Sequence, residues 1–306
     1  MLASGAMRGH EPTVTRRGAP LVASALRAGQ ARRRAVIAAA LLALAGPSAA
    51  TSPPTLVIAC LGDSLTVGVT HRAARDPLGG YPGRLQRRLG PRVHVLNRGL
   101  AGTTTAFWLT DLSSEDGRRI WGGLLQLWHD LPRAEPPRAA TSIMRATLDV
   151  DHPELVVVLL GVNDLGAEPT GMKIVERTSA RLERIQQEAS SPGRTVLLAT
   201  LLPNRRDPEE PRARLNARIR ARHPDALPLG ERFAAAGWTH LLGDEIHPSE
   251  DGYEILAAIL SEELATRGYL PGAPSSTTST SPARSAAPSS SGSGTPAAAT
   301  SLATKR

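Results

Sequence analysis

Four polar clusters interrupt the apolar runs of this chain, and their residue types are those that acyl transfer requires. Gly62-Asp63-Ser64-Leu65 follows one run, Asn97-Arg98-Gly99-Leu100-Ala101-Gly102 a second, and Gly161-Val162-Asn163-Asp164 a third. Near the C-terminus, Asp244-Glu245-Ile246-His247-Pro248 sets a carboxylate and an imidazole three residues apart. Acyl transfer needs a nucleophile, a base for its proton, a group that orients the base, and donors for the oxyanion. Ser64 would attack the carbonyl, and His247 would accept the Oγ proton and return it to the leaving alcohol. Asp244 would accept a hydrogen bond from the other ring nitrogen and fix the tautomer. The backbone N–H groups of Ser64 and Gly102, with the side-chain amide of Asn163, would surround the oxyanion.

Each cluster alone has a plainer reading. A lone Gly-Asp-Ser is usually a turn, Gly102 could serve a positive φ, Asn163 could cap a helix, and Asp244 with His247 could be a loop pair. Their joint occurrence after apolar runs favours the catalytic reading. Asp63 and Asp164 adjoin proposed catalytic residues and are expected to hold loops by accepting backbone hydrogen bonds. His10, His71, His94, His129, His152, His223 and His240 have no such setting and are expected on the surface or in packing. Gly-x-Ser-x-Gly, His-Glu-x-x-His, Cys-x-x-Cys and Gly-x-x-x-x-Gly-Lys patterns are all absent, so no metal, nucleotide or redox cofactor is expected.

The elements that must position these clusters follow from periodicity. Buried strands are expected at Thr55–Leu61, Val93–Leu96, Leu155–Leu160 and Thr195–Leu201, and helices at Gly83–Leu89, Lys173–Ala189, Arg212–Arg222 and Glu250–Arg267. In the last helix, Tyr253, Leu256, Ala257, Leu260 and Leu264 recur at helical spacing behind Ser249 as N-cap, with Glu250 and Asp251 at the positive end. Strands alternating with helices imply a mostly parallel sheet covered on both faces, an α/β architecture. Reactive groups in such sheets collect at the carboxyl ends of the strands.

In these blocks the sequence resembles the SGNH, or GDSL, hydrolase superfamily. Gly62-Asp63-Ser64-Leu65, followed by Thr66-Val67-Gly68, is similar to the first block of its thioesterase and lysophospholipase branch. Gly102 matches the second block, Asn163 the third, and Asp244 with His247 the DxxHP block, over about Leu56 to Arg267. The resemblance implies a flavodoxin-like three-layer α/β/α sandwich and metal-free hydrolysis of acyl esters, of a lipid or a small molecule. A carbohydrate O-acetyl esterase and an acyltransferase using the same triad are the alternatives within the superfamily. A catalytically silent glycan- or lipid-binding protein would be expected to lose a triad member, and none is lost.

The ends differ from the middle. Residues 1–50 hold seven arginines and one glutamate, and residues 271–306 hold Arg284, Lys305 and Arg306, so a total of +8 leaves the middle at −1. A near-neutral domain gives no support to nucleic-acid binding. Arg32-Arg33-Arg34, the apolar stretch Ala35 to Ala45 and Gly46-Pro47-Ser48-Ala49-Ala50 have the order of a signal segment, expected over 1–50. A secreted or periplasmic location follows, with an uncleaved N-terminal anchor as the alternative. Val57-Ile58-Ala59-Cys60 is similar to a lipoprotein box, but cleavage there would remove the first strand, and Cys60 is expected as a buried strand residue. The Ser/Thr/Pro/Ala-rich segment 271–306 is too poor in apolar surface to fold and is expected as a disordered tail, in contact with the cell envelope or polysaccharide or without a role. The hydrolase domain is then expected over 54–270. Within it, 106–147 is a long insertion between the second and third blocks, carrying Trp108, Trp121 and Trp128. It is either a lid that meets substrate or extra packing beside the sheet.

Overall fold

A computed structural model describes residues 56–131, 135–167 and 172–271. The chain divides into a unit at Met1–Pro53, wholly outside the described residues, and a unit from Pro54 onward. The expected signal segment and all of the tail beyond residue 271 therefore lie outside the described residues.

Four parallel strands form the sheet: β1 (Leu56–Gly62), β2 (Val93–Gly99), β3 (Leu155–Leu159) and β4 (Thr195–Leu198), in the order β2-β1-β3-β4. Nearly continuous burial along β1 and β3 explains their unbroken apolar runs, because a parallel sheet is covered on both faces. Two strands differ from expectation at their carboxyl ends. β2 runs on through Asn97, Arg98 and Gly99, since its polar residues pair in register with Cys60, Leu61 and Gly62 of β1. β4 stops at Leu198: Ala199 still donates to the Val158 carbonyl of β3 at 2.8 Å, but its bridge partner is Leu227.

The helices are α1 (Ser64–Val67), α2 (Gly80–Leu89), α3 (Thr105–Trp108), α4 (Glu115–Leu127), α5 (Ile143–Asp151), α6 (Val162–Ala167), α7 (Met172–Ala189), α8 (Glu209–Arg222), α9 (Leu229–Ala235) and α10 (Glu250–Thr266). Helices α2 and α10 pack on each other, as do α9 and α10, while α5, α7 and α8 pack in succession. Right-handed crossovers place the first group on one face of the sheet and the second on the other, giving the expected three layers. The chain leaves β1 toward β2 on one side and returns past it to β3 on the other. That reversal opens a crevice at the carboxyl ends of β1 and β3.

The three tryptophans of the insertion are packed against the core. Trp108 is fully buried, and Trp121 and Trp128 are buried with it. The rings of Trp108 and Trp128 stack at 6.3 Å between centroids and 12° between planes. The Arg98 guanidinium lies 5.1 Å from the Trp128 ring and donates to both Asp130 and Asp151. Burial opposes the Arg98 charge, but the two carboxylates outweigh it and raise its pKa. This pairing ties the end of α5 and the chain beyond α4 to strand β2. A cation so placed is satisfied on both edges of its fork, as burial demands.

Candidate active site

The first polar cluster folds as a sharp turn because each of its residues has a local task. Gly62 must be glycine, since a Cβ there would sit 2.0 Å from Thr66 Oγ1 and 2.8 Å from the Leu159 carbonyl. Asp63 caps α1, its Oδ1 accepting from the Leu65 N–H at 2.9 Å. Ser64 therefore opens a one-turn helix directly at the carboxyl end of β1. Its carbonyl accepts from the N–H groups of Gly68 and Val69 at 3.1 and 3.0 Å, which closes the turn.

The His247 imidazole reaches this turn from the far end of the sequence. The His247 carbonyl accepts from the Gly243 N–H at 2.8 Å, and Leu242 bridges Pro248, so the loop is a small hairpin that aims the imidazole inward. Ser249 then caps α10 by accepting from the Gly252 N–H. His247 Nε2 stands 3.0 Å from Ser64 Oγ, and His247 Nδ1 stands 2.8 Å from Asp244 Oδ2. A carboxylate has no proton to give, so Nδ1 donates to Asp244 and Nε2 is left as the acceptor for the serine hydroxyl. The other oxygen of Asp244 accepts from the N–H groups of Ile246 and His247 at 2.8 and 2.7 Å. Partial burial works against the Asp244 charge, but these hydrogen bonds outweigh it and hold the carboxyl below its ordinary value.

The third and fourth groups arrive on neighbouring loops. Gly102 has φ of 79°, in the left-handed region that favours glycine, and this turns the chain after β2 back toward Ser64. Leu100 N–H donates to the Gly62 carbonyl at 3.0 Å, which fastens that loop to the nucleophile turn. Neither the Ser64 nor the Gly102 N–H takes part in the turn, loop and cap hydrogen bonds of the described residues. Asn163, in α6 after β3, donates one Nδ2 proton to the Thr103 carbonyl at 2.9 Å, which orients the amide and leaves its second proton available. Serine, two backbone donors and an amide thus gather at the crevice between β1 and β3.

The two flanking carboxylates hold loops, as the sequence indicates, but their surroundings differ. Asp164 accepts from the Thr105 N–H and hydroxyl at 2.9 and 2.6 Å and has Arg181 at 3.5 Å. Asp63 is fully buried, and its Oδ2 has no partner among the described residues. Burial chiefly, with the charge of Asp164, pushes its carboxyl up from 3.8 to about 7, against the opposing Leu65 N–H and Arg206. Burial likewise pushes the Cys60 thiol up to about 12, which makes it an inert strand residue.

Two supporting residues were not legible as such. Asn97 donates to the carbonyls of Thr66 and Gly79 and accepts from the Gly99 N–H, joining β2 to the Ser64 turn and to the chain that enters α2. The buried Tyr253 hydroxyl donates to the Val69 carbonyl at 2.6 Å, linking α10 to the turn that Val69 closes. Tyr253 stands out in the sequence only by its helical spacing, which signals a core position and not a hydrogen bond. His71, His94, His129, His152 and His240 are exposed and His223 is half-buried, none of them within hydrogen-bond reach of Ser64. His10 lies outside the described residues.

Solved structures with a similar fold include a lipase/acylhydrolase from Enterococcus faecalis, at 22% identity and a TM-score of 0.48 over 70% of this chain and 97% of that one. A putative lipolytic protein of the G-D-S-L family from Desulfitobacterium hafniense matches at 16% identity and 0.48 over 69% and 100%. A carbohydrate acetylesterase family member from Sinorhizobium meliloti matches at 19% identity and 0.45 over 69% and 98%. No curated protein matches the chain. The GDSL-like Lipase/Acylhydrolase family matches residues 60–255, which take in the Ser64, Gly102, Asn163 and His247 blocks together. With that match over more than half of its length, the chain belongs to the GDSL-like Lipase/Acylhydrolase family.

Proposed function

We propose that the protein hydrolyses carboxylic esters of small molecules or lipids through an acyl-enzyme on Ser64. The observation that carries this reading is the unbroken hydrogen-bonded line from Ser64 Oγ through the His247 ring to Asp244, at 3.0 and 2.8 Å. Ser64 Oγ attacks the ester carbonyl while its proton passes to His247 Nε2, and Asp244 stabilises the imidazolium. The N–H groups of Ser64 and Gly102 and the free proton of Asn163 Nδ2 receive the oxyanion. Collapse of this intermediate breaks the bond to the alkoxy oxygen, which leaves with the proton from His247. Water, deprotonated by His247, then attacks the acyl carbonyl and releases the acid and Ser64.

A chain-length series of chromogenic esters, from acetate to palmitate, tests this with Ser64→Ala as control. Turnover should fall by several orders of magnitude in the folded variant. Near-normal turnover by Ser64→Ala would place the chemistry elsewhere. Adding an acceptor alcohol and finding transfer faster than hydrolysis would make the protein an acyltransferase instead. Export is proposed on the residues from Arg32 to Ala50 alone, and cell fractionation tests it.

A further inference from the structure

At the carboxyl end of β2, a cavity of about 290 Å³ is bounded by Val67, Arg75, Leu100, Ala101, Leu127 and Trp128. Part of its wall belongs to two of the catalytic blocks. Val67 lies in the one-turn helix that Ser64 opens, and Ala101 immediately precedes Gly102. The hairpin that carries Asp244 and His247 contributes nothing to it. Because the leaving oxygen must face His247 Nε2 to receive its proton, the acyl part of a bound ester is directed away from that hairpin. The recess is walled by the Ser64 helix and the residues just before Gly102 and by none of the hairpin, which makes it the candidate for the acyl side.

The lining has two chemical characters. Leu100, Leu127 and Trp128 form an apolar wall, and Leu127 is the one large hydrophobic residue left exposed among the described residues, at 44%. Trp128 cannot swing away, being stacked on Trp108 and faced by the paired guanidinium of Arg98. Arg75 supplies the opposite character. It is exposed, and among the described residues its side chain has no hydrogen bond or ion pair. The adjacent Asp76 does not neutralise it, since that carboxylate is buried and engaged by Arg84 and the Gly80 N–H. At about 30 Å³ for each water-sized group, the volume accommodates roughly ten heavy atoms.

We propose that this cavity is an acyl subsite for short chains ending in a carboxylate, with Arg75 as the residue that selects the charge. The inference rests on Ser64 as the nucleophile and adds the substrate class. A short aliphatic segment covers Leu100, Leu127 and Trp128, and the terminal anion meets the unpaired guanidinium.

Two 4-nitrophenyl esters with the same leaving group test it: the butyrate and the monoester of glutaric acid. The parent enzyme should favour the glutarate in kcat/KM by about fivefold, the scale of a solvent-accessible ion pair. Arg75→Gln should abolish that preference, Arg75→Glu should reverse it, and Arg75→Lys should restore most of it. Raising the salt concentration should shrink the preference in the parent and leave Arg75→Gln unaffected. Both esters hydrolysed without discrimination, or a preference that survives in Arg75→Gln, would overturn the subsite while leaving Ser64 in place. A charge preference that appears only when the carboxylate is on the phenol would overturn its assignment to the acyl side. Failure to hydrolyse either ester by an enzyme active on other members of the acetate-to-palmitate series would overturn the subsite alone, and inactivity on the whole series would refute the serine hydrolase reading with it.

Discussion

Replacing Asp63 by Asn should remove a pH dependence that the nucleophile turn imposes on the whole fold. In the folded protein this carboxyl titrates at about 7, against an ordinary 3.8, because it is fully buried and one oxygen has no partner. Between those two values the folded state binds a proton that the unfolded chain has released, so stability falls as pH rises through the window and levels off above it. Each pH unit across that interval costs the folded state about 1.4 kcal/mol, and the whole interval about 4 kcal/mol. From about pH 5 to about pH 8.5 the loss is roughly 2.5 kcal/mol, since part of it has already occurred below pH 5. Asparagine keeps the Oδ1 acceptor for the Leu65 N–H and never ionises. Its amide leaves donors unpaired, a cost of about 1–3 kcal/mol that does not vary with pH. The stability of Asp63→Asn relative to the parent should therefore rise by roughly 2.5 kcal/mol over that range, or about 5–10 °C in Tm for a domain of this size. Urea unfolding at several pH values, with the slope m checked for constancy, measures the difference directly. Parallel stability curves for parent and variant would show that Asp63 is solvated or paired in solution, and the reasoning from its burial would fail.

Other substitutions separate the roles of the remaining groups. Asn163→Ala should lower kcat by about 10²–10³ with a smaller effect on KM, because an oxyanion donor acts mainly in the transition state; a raised KM at constant kcat would make Asn163 a ground-state binding residue. Tyr253→Phe should cost about 1–3 kcal/mol by stranding the buried Val69 carbonyl, and should lower kcat more than it changes KM. Unchanged kinetics with lowered stability would restrict Tyr253 to the core. Trp108→Ala should destabilise by about 3–5 kcal/mol in chemical denaturation, and a neutral result would mean that its neighbours close over the void.

The site was more legible than its supports, for reasons of chemistry. Ser64, Asn163, Asp244 and His247 are polar residues that follow apolar runs, where packing gives no reason for them, so their types advertise a task, and Gly102 is marked by the block it closes. The strand expectations held along β3, fell short in β2, where polar residues continue the ladder, and overran in β4, where buried residues beyond Leu198 leave it. Asn97 and Arg98 continue β2 because the backbone ladder tolerates polar side chains that find partners on both sides. Single-turn helices such as α1 and α3 have no room for a periodic pattern, so they appear in the sequence only as capping residues, Asp63 and Thr104. The insertion could be seen but not assigned, because a tryptophan lining a cleft and one filling a core have the same signature. Burial puts Trp108 and Trp121 in the core, while Trp128, stacked on Trp108, also borders the cavity at the end of β2.

The hydrogen bond between Ser64 and His247 joins positions 183 residues apart, the first strand to the loop before the last helix. Contacts of such sequence separation form only after most of the chain entropy between them has been given up. During synthesis or refolding, the Ser64 turn can assemble early from β1 and β2, yet His247 is not brought to it until α10 docks beside α2. With the proposed triad, a species lacking that last helix would be without its base, however complete its sheet. Recovery of esterase activity after dilution from denaturant therefore reports the closing step of folding rather than collapse, and should lag the return of helical circular dichroism whenever the two can be resolved in time.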